Sequence, residues 1–511
     1  MQNAHADATF TLTPLQGQAF LYVSTTEQPV YGRPETYQFS STRWGGLQQV
    51  IVRDTPASSC GKLGAAQACR FFVGVFGNRF TVANQTTYYS LVASTSQGVV
   101  TLQDGVPFTD WTPRGQFEYF QISVPVAPAA LLVSITPLTG DPDLYMSTTV
   151  TRPNTTAFTW RSMFFGADAL AVDSYRDPNF RVGTYFIGVH SFTESSFSIT
   201  ASVLLPNATL SSRVRLINGQ PQAGLLDQAG IRYYSFYVAP SAASMHRQLT
   251  ITLTPRWGDP DIYVRNDGQL PTPYSYQWKA DRVGRDTITI GDTCEDCEYI
   301  VGVRAFTRSL YTLVAATADA ITSLQSGVAH TSTVYVGRTE YYQITVPLGV
   351  ELYIALQDLG GGDPDLLVKA NVLPTIDTSQ TPPVVSADFS QNSFGSDSID
   401  IVTTTATTYY IGVYGFFNST YSITASVYVE GAAQSLLDGQ PQLGFVQPGK
   451  YRTFTFAVQD PTFSTDVSFT LTAANGGKTQ FFINADCTPD TADTYAWGSY
   501  RHGILVFSSC T

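Results

Sequence analysis

The sequence predicts an all-β protein, a tandem array of antiparallel β-sandwich domains of about 110 residues that is incomplete at both ends. Composition is the first reason: 13% of the 511 residues are aromatic, only 13% are charged, and there are 40 Gly and 28 Pro. This is typical of short strands joined by turns. The second reason is the alternation of apolar and polar residues in segments such as "LTITLTPR", which fits strands with one buried face. The third reason is an internal repeat.

Two landmarks recur with nearly the same period. The glycines of an "IGV"-type strand are spaced 114, 114 and 110 residues apart, at Gly74, Gly188, Gly302 and Gly412. The glycines of a turn phrase such as "LINGQPQ" are spaced 114, 108 and 112 residues apart, at Gly105, Gly219, Gly327 and Gly439. Agreement between independent landmarks indicates tandem repeats. We therefore divide the chain into a partial first repeat (1–96), three complete repeats (97–207, 208–318 and 319–430) and a partial fifth repeat (431–511).

Each complete repeat has the same order of elements. The turn phrase comes first, then an aromatic strand such as "FEYFQISV", an alternating strand, an Asp-Pro-Asp phrase with its own strand, a looser stretch, the "IGV" strand and a closing strand such as "SFSITASV". The first repeat opens directly on "ATFTLTPLQG" and lacks the turn phrase and the aromatic strand. The fifth repeat stops at "ILVFSSCT", before any "IGV" or closing strand.

This order of motifs resembles the pre-peptidase C-terminal domain. The phrases that carry the resemblance are L-x-x-G-x-P, Y-x-F-x-V, G-D-P-D-L-Y-V, Y-x-I-G-V and Y-S-I-T-A-S, and the Asp-Pro-Asp phrase is the most specific of them. The family is a small β-sandwich appended to secreted peptidases and other extracellular proteins. The resemblance therefore implies secretion and a non-catalytic role. In general character the chain is also similar to filament-forming surface proteins of microbial eukaryotes, such as those of flagellar hairs (mastigonemes).

The Asp-Pro-Asp phrases are the first candidate sites. They contain Asp141 and Asp143, Asp259 and Asp261, and Asp363 and Asp365. One interpretation is a Ca²⁺ half-site in each repeat, because Ca²⁺ binds carboxylate oxygens. The other is a structural corner, in which proline fixes the backbone and each aspartate accepts hydrogen bonds from nearby backbone N–H groups. We favour the corner, because Ca²⁺ needs about six to eight oxygen ligands and no second acidic cluster is evident at a fixed distance.

No catalytic residues are predicted. The five histidines lie in unrelated local contexts, and the sequence contains no G-x-S-x-G, H-E-x-x-H or phosphate-binding loop motif. We expect no cofactor and no metal beyond the calcium alternative.

The cysteines and glycosylation signals indicate an extracellular protein. The even number of cysteines favours structural disulfides over a zinc or redox site, as does the place that all of them except Cys487 share in the repeat, before the "GV" strand. Cys487 is the expected partner of Cys510 if the last repeat closes upon itself. The predicted pairs are Cys60–Cys69, Cys294–Cys297 and Cys487–Cys510. N-x-T acceptor sequences predict attached glycans at Asn84, Asn154, Asn207 and Asn418. The chain opens without a recognisable signal peptide, so either the signal was removed or this is a piece of a longer polypeptide.

The expected partner is the protein itself. The net charge of −12 and the absence of a basic stripe argue against nucleic acid, and no apolar run is long enough to span a membrane. We expect a secreted or cell-surface structural glycoprotein, a rod of tandem sandwiches that assembles head-to-tail into a filament or surface appendage. The alternative is an adhesion or carbohydrate-binding module array of a secreted protein or hydrolase, which should repeat one exposed aromatic cluster in every unit.

Overall fold

A computed structural model gives the architecture of most of the chain. The described residues are 7–16, 19–42, 48–52, 70–77, 87–95, 98–127, 129–164, 166–204, 213–238, 248–291, 293–294, 296–318, 320–380, 383–428, 433–436, 446, 449–456, 466–471, 480–483, 497–499 and 504–508. Residues 1–456 form one compact unit and residues 457–511 form a second.

The first repeat contributes six strands and one short 3-10 turn, Pro34–Thr36. The strands are β1 (Ala8–Gln16), β2 (Ala19–Ser24), β3 (Phe39–Ser41), β4 (Gln48–Val52), β5 (Phe72–Gly77) and β6 (Tyr88–Thr95). They form two three-stranded antiparallel sheets, in the orders β4-β1-β6 and β3-β2-β5.

The three following repeats share one topology. The second contains β7 (Val100–Thr101), β8 (Phe108–Thr112), β9 (Phe117–Val124), β10 (Ala130–Thr139), β11 (Pro142–Ser147), β12 (Trp160–Ser162), β13 (Asp168–Asp173), β14 (Gly183–Ser191) and β15 (Ser195–Leu204). The third contains β16 (Val214–Arg215), β17 (Gln222–Leu226), β18 (Ile231–Val238), β19 (Leu249–Trp257), β20 (Pro260–Arg265), β21 (Trp278–Ala280), β22 (Asp286–Ile290), β23 (Cys297–Ala305) and β24 (Ser309–Thr317). The fourth contains β25 (Ile321–Ser323), β26 (His330–Val334), β27 (Thr339–Val346), β28 (Glu351–Asp358), β29 (Pro364–Ala370), the hairpin β30 (Thr375–Asp377) and β31 (Val384–Ser386), β32 (Phe389–Gln391), β33 (Asp397–Val402), β34 (Thr407–Gly415) and β35 (Ser419–Tyr428).

Each complete repeat packs a five-stranded sheet against a four-stranded one. In the second repeat the orders are β12-β11-β14-β9-β7 and β13-β10-β15-β8, and the third and fourth repeats reproduce them. All pairings are antiparallel except a short parallel pair at one edge, such as β7 with β9. The predicted all-β fold with tandem antiparallel sandwiches is therefore confirmed.

The fifth repeat begins in the first unit with β36 (Ala433–Ser435) and β37 (Thr453–Thr455), which again form a parallel pair. The second unit contains β38 (Asp466–Thr470), β39 (Phe481–Ile483), β40 (Trp497–Ser499) and β41 (Ile504–Ser508). In it β38 pairs with β41, and β39 pairs with β40. The predicted boundaries at residues 96, 207, 318 and 430 stay predictions.

One pair of aromatic rings spans the core of every complete repeat. The opening aromatic strand supplies one ring and the closing strand supplies the other. In the second repeat these are Phe120 and Phe197, with ring centroids 6.2 Å apart. In the third, the hydroxyls of Tyr234 and Tyr311 are hydrogen-bonded at 2.8 Å. The fourth repeat has Tyr342 and Tyr421, whose hydroxyls are 2.6 Å apart. All six rings are essentially inaccessible to solvent.

Consecutive repeats dock through the turn phrase. Gln222, in the phrase "GQPQ" of the third repeat, reaches the outer face of the four-stranded sheet of the second. Its side chain accepts a hydrogen bond from Thr200 Oγ1 (2.8 Å) and donates one to Ser134 Oγ (3.3 Å). The backbone N–H of Ala223 donates to Thr136 Oγ1 at 2.7 Å. The row of Ser and Thr side chains on this face is thus buried by the next repeat, together with a small apolar cluster.

We predict that Gln222→Ala lowers the free energy of unfolding by about 1–3 kcal/mol, because buried hydroxyls at the junction lose a partner. Gln222 is 3% exposed. Chemical denaturation followed by tryptophan fluorescence measures the effect. Gln269→Ala, at an exposed turn position of the same repeat, is the control and should change stability little. Equal stability of the two variants would contradict the docking role.

Candidate functional site

The three Asp-Pro-Asp phrases lie at equivalent corners. In each, the proline is the first residue of a strand: Pro142 of β11, Pro260 of β20 and Pro364 of β29. The first aspartate donates its N–H to a Thr or Ser hydroxyl in the turn before the closing strand or at that strand's first residue, as Asp141 does to Thr193 Oγ1 at 3.0 Å. Its carbonyl accepts the N–H of a phenylalanine in that turn, Phe192 in the second repeat. The phrase therefore ties the start of one strand to the turn between two others.

A third aspartate, which the repeated phrases of the sequence did not predict, completes each corner. It belongs to a G-x-D phrase: Gly166 to Asp168, Gly284 to Asp286, and Gly395 to Asp397. The glycine N–H donates to the first aspartate of the pair, at 2.8 Å to Asp141 Oδ1, 3.1 Å to Asp259 Oδ1 and 3.0 Å to Asp363 Oδ1. Each glycine has a positive φ, between 87° and 98°. No constant spacing marks this third aspartate in the sequence. Asp168 and Asp286 follow the second aspartate of their corners by 25 residues, whereas Asp397 follows by 32.

The first aspartate of each pair accepts a backbone N–H, as a structural corner requires. The second aspartate lies beside a side chain of the neighbouring strand in the second repeat and of its own strand in the third. Asp143 Oδ2 lies 3.7 Å from His190 Nδ1, and Asp261 Oδ2 accepts a 3.4 Å hydrogen bond from the hydroxyl of Tyr263. The assignment of all six aspartates as structural corners stays a prediction.

Burial raises the pKa values of these carboxyls. Desolvation is the largest cause throughout, and the neighbouring aspartates add to it in most cases. It raises the pKa of Asp141, Asp143, Asp261 and Asp397 to about 6, and that of Asp286 and Asp365 to about 7. The pKa of Asp168, which is fully buried, is raised well above its ordinary value. One oxygen each of Asp168 and Asp286 has no hydrogen-bond partner among the described residues.

The corner of the second repeat also receives a cation from the third repeat. The guanidinium of Arg256, at the end of β19, lies so close to Gly166 that a Cβ at that glycine would be 2.0 Å from a guanidinium nitrogen. Its charge lowers the pKa of Asp141, against the larger effect of desolvation. The glycine therefore serves two purposes, because it allows the positive φ and leaves space for the arginine.

The groups that face the second aspartate of each corner differ between the repeats. No group of three or more His, Cys, Asp or Glu side chains is placed to hold a metal ion within the part of the chain that the structure describes. His190 faces Asp143 across the sheet, but the equivalent cross-strand partners are Arg304 for Asp261 and Tyr414 for Asp365. A histidine beside the second aspartate is therefore a feature of the second repeat and does not recur at the other two corners.

The disulfides and glycosylation sites are only partly described. Cys294 and Cys297 form a disulfide at the start of β23, with Cα atoms 6.0 Å apart. The pairs Cys60–Cys69 and Cys487–Cys510 lie outside the described residues, as do Asn84 and Asn207. Asn418 is exposed in the turn before β35, and its Oδ1 accepts a 2.8 Å hydrogen bond from the N–H of Val336. Asn154 is half-buried in a turn, where its Oδ1 accepts hydrogen bonds from Thr156 and Ala157.

The first repeat has an open apolar face. Its strands β5 and β6 correspond in register to β14 and β15, which are interior strands in the second repeat. No described strand pairs with the outer edge of β5 or β6. Tyr89 and Leu91 are 46% and 40% exposed, whereas their counterparts Phe197 and Ile199 are fully buried. In the second repeat, the aromatic strand β9 pairs with β14, and β8 pairs with β15.

A second exposed feature recurs in the complete repeats. A phenylalanine of the turn before the closing strand is half-exposed in each: Phe192 by 50%, Phe306 by 61% and Phe416 by 55%. In each repeat the backbone N–H of this phenylalanine donates to the carbonyl of the first aspartate of the corner. Phe192 donates to Asp141, Phe306 to Asp259 and Phe416 to Asp363. An exposed aromatic residue at a constant position is the feature expected of an adhesion or carbohydrate-binding array.

Comparison with known proteins gives no family. No protein-family model and no curated protein matches the sequence. Among solved structures, the glycoside hydrolase domain of Endo-D from Streptococcus pneumoniae R6 is 9% identical with a TM-score of 0.16, and the match covers 41% of this chain and 32% of that one. A triple jelly roll protein of an archaeal virus turret is also 9% identical with a TM-score of 0.16, and that match covers 66% of this chain and 86% of the other. The resemblance to pre-peptidase C-terminal domains stays a prediction. The described residues contain no helix that is long and apolar enough to cross a membrane.

The raised pKa values predict that the protein loses stability as the pH rises. Each of these carboxyls binds its proton more tightly in the folded chain than in the unfolded chain, where its pKa has the ordinary value of 3.8. The resulting stabilisation is fully present below about pH 4 and is lost as the pH rises through the folded pKa values of about 6 to 7. Thermal unfolding midpoints measured between pH 5 and 8 should therefore fall.

The variant Asp286→Asn should flatten this fall, because its side chain stays neutral at every pH. The control Asp377→Asn changes an exposed carboxyl whose pKa is lowered, and should leave the slope between pH 5 and 8 unchanged. Identical slopes in the wild type and in Asp286→Asn would contradict the assignment.

We predict N-glycans on Asn418 and Asn154 when the protein is secreted by a glycosylating eukaryotic host. Asn418 is exposed, and Oδ1 rather than Nδ2 makes its described hydrogen bond, which leaves the nitrogen for the sugar. Mass spectrometry of tryptic peptides, with Asn418→Gln and Asn154→Gln as controls, measures occupancy. Asn392 is exposed but has no acceptor sequence, so it should be unmodified. Unmodified Asn418 and Asn154 in secreted material would show the prediction to be wrong.

Proposed function

We propose that this protein is a non-catalytic, extracellular structural glycoprotein that assembles head-to-tail into a filament or surface appendage. The open face of the first repeat is the observation that carries the proposal. An uncovered apolar face beside two unpaired strand edges is a template for strand addition, because backbone hydrogen bonds and side-chain pockets act together there.

The docking of consecutive repeats supports the same function. The third repeat buries part of the polar outer face of the second. The opening of the fifth repeat contacts the fourth, where Arg452 pairs with Glu351 and lies 3.7 Å over the ring of Tyr428. A junction that recurs from repeat to repeat can also recur from molecule to molecule. A contact between unlike ends propagates unless it closes a ring.

The recurring phenylalanine favours the second candidate function, an adhesion or carbohydrate-binding module array. Phe192, Phe306 and Phe416 place one half-exposed ring at the same position in three repeats, and an aromatic ring is a platform on which a sugar can stack. The two functions differ in what they need: the array binds a ligand as a monomer, whereas the filament needs contact between copies.

Sedimentation velocity and negative-stain electron microscopy on residues 1–511, secreted from an oxidising host, test the proposal. We expect species that grow in length as the concentration rises from about micromolar to hundreds of micromolar, the range that weak and moderate contacts require. A monomer throughout this range would contradict assembly. A monomer that is retained on insoluble polysaccharide, and is released by changing the three phenylalanines to Ala, would instead establish the binding array.

A further inference from the structure

The first and the fifth repeats each contain one of the two aromatic rings that form the core of a complete repeat, and the two rings are complementary. Each complete repeat contains a ring from the aromatic strand and a ring from the closing strand, buried against each other. The first repeat has the closing-strand ring, Tyr89, because β1 pairs with β6 as β10 pairs with β15: Tyr89 lies opposite Pro14, as Phe197 lies opposite Pro137. It is 46% exposed.

The fifth repeat has the other ring, Phe454. In the parallel pair of β36 and β37, Gln434 lies opposite Phe454, as Val214 lies opposite Tyr234 in the third repeat. Phe454 is 39% exposed, whereas Phe120, Tyr234 and Tyr342 are at most 2% exposed. The opening strands of the fifth repeat are thus formed and docked, with the core ring uncovered.

We propose that β37 of one copy adds to β5 of the next copy and places Phe454 against Tyr89, so that one sandwich core is completed by two molecules. This rests on the proposed function and specifies its contact. The occupant is a second copy because the chain itself fills the equivalent groove three times with the equivalent strand, in β9 on β14, β18 on β23 and β27 on β34.

The intramolecular pairs also give the register. Phe120 pairs with Ile187 and Gln121 with Phe186. The equivalent residues of β5 are Val73 and Phe72. Val73 pairs with Val23 of β2 just as Ile187 pairs with Met146 of β11, and Phe72 pairs with Ser24 just as Phe186 pairs with Ser147. Phe454 should therefore lie opposite Val73 on the core side, and Thr455 opposite Phe72 on the outer side. A shift of one residue would turn Phe454 away from Tyr89.

Cysteine cross-linking tests the register. A Phe72→Cys protein and a Thr455→Cys protein are mixed and oxidised mildly, and dimers are detected on a non-reducing gel. We expect a cross-linked dimer, because directly opposed Cβ atoms are about 4.5–5.5 Å apart. The control mixture of Val73→Cys with Thr455→Cys is one residue out of register and places the thiols on opposite faces, so it should cross-link little.

Substitutions at the rings provide a second measurement. Phe454→Ala and Tyr89→Ala should each raise the apparent dissociation constant of self-association about tenfold or more, as for buried aromatic residues at interface centres. Phe394→Ala is the control, since Phe394 is 79% exposed in the fourth repeat. Circular dichroism of each variant verifies that it is folded.

The outcomes separate this contact from the proposed function. Assembly that persists with no in-register cross-link, and with unchanged affinity in both ring variants, would overturn the contact and leave assembly standing. A monomer at high concentration, with neither cross-link formed, would overturn both and indicate that the groove is filled by another segment of a longer polypeptide.

Discussion

The contact between the aromatic opening strand and the closing strand controls the integrity of each sandwich. Where the opening strand is present, the core position of the closing strand is fully buried, as at Phe197; where it is absent from the described residues, the equivalent Tyr89 is 46% exposed. Complete burial of one large apolar side chain stabilises a fold by about 1.5–3 kcal/mol. A partner that covered Tyr89 and Leu91 would therefore add substantially to the free energy of unfolding of the first repeat.

Either two phenylalanines or two tyrosines can form this contact. The second repeat fills it with phenylalanines, and the third and fourth fill it with tyrosines whose hydroxyls bind each other. A buried hydroxyl needs a hydrogen-bond partner. In these two repeats the second tyrosine supplies it, and Arg232 or Ser332 interacts with the tyrosines as well. The first repeat supplies Tyr89 and the fifth supplies Phe454. A composite core of these two is therefore mixed, and would need the Tyr89 hydroxyl to find water or another polar partner.

Sequence reasoning could predict the sandwich because alternation and a repeated landmark both depend on local pattern. It located the Asp-Pro-Asp phrases for the same reason, since their residues are contiguous in the sequence. It could not find Asp168, Asp286 and Asp397, because the loop before the third aspartate differs in length between repeats and the pairing exists only in space. It also missed Gln222, because a polar residue that is buried between repeats looks like an ordinary exposed turn residue until the neighbouring repeat is placed.

Burial of three carboxyls in one corner explains why the corners differ in their surroundings. An ionised carboxylate in the protein interior is costly unless a cation or hydrogen bonds compensate it, so the group is either paired or protonated. The second repeat receives Arg256 from its neighbour, which couples the corner to the junction between repeats. The third aspartate accepts one backbone N–H in every corner, from Phe164, Arg282 or Ser393. In the fourth repeat, Asp397 accepts a further backbone N–H from Leu366. The corner can therefore remain in place through three repeats because its glycine and proline fix the backbone, while each repeat compensates the charge in its own way.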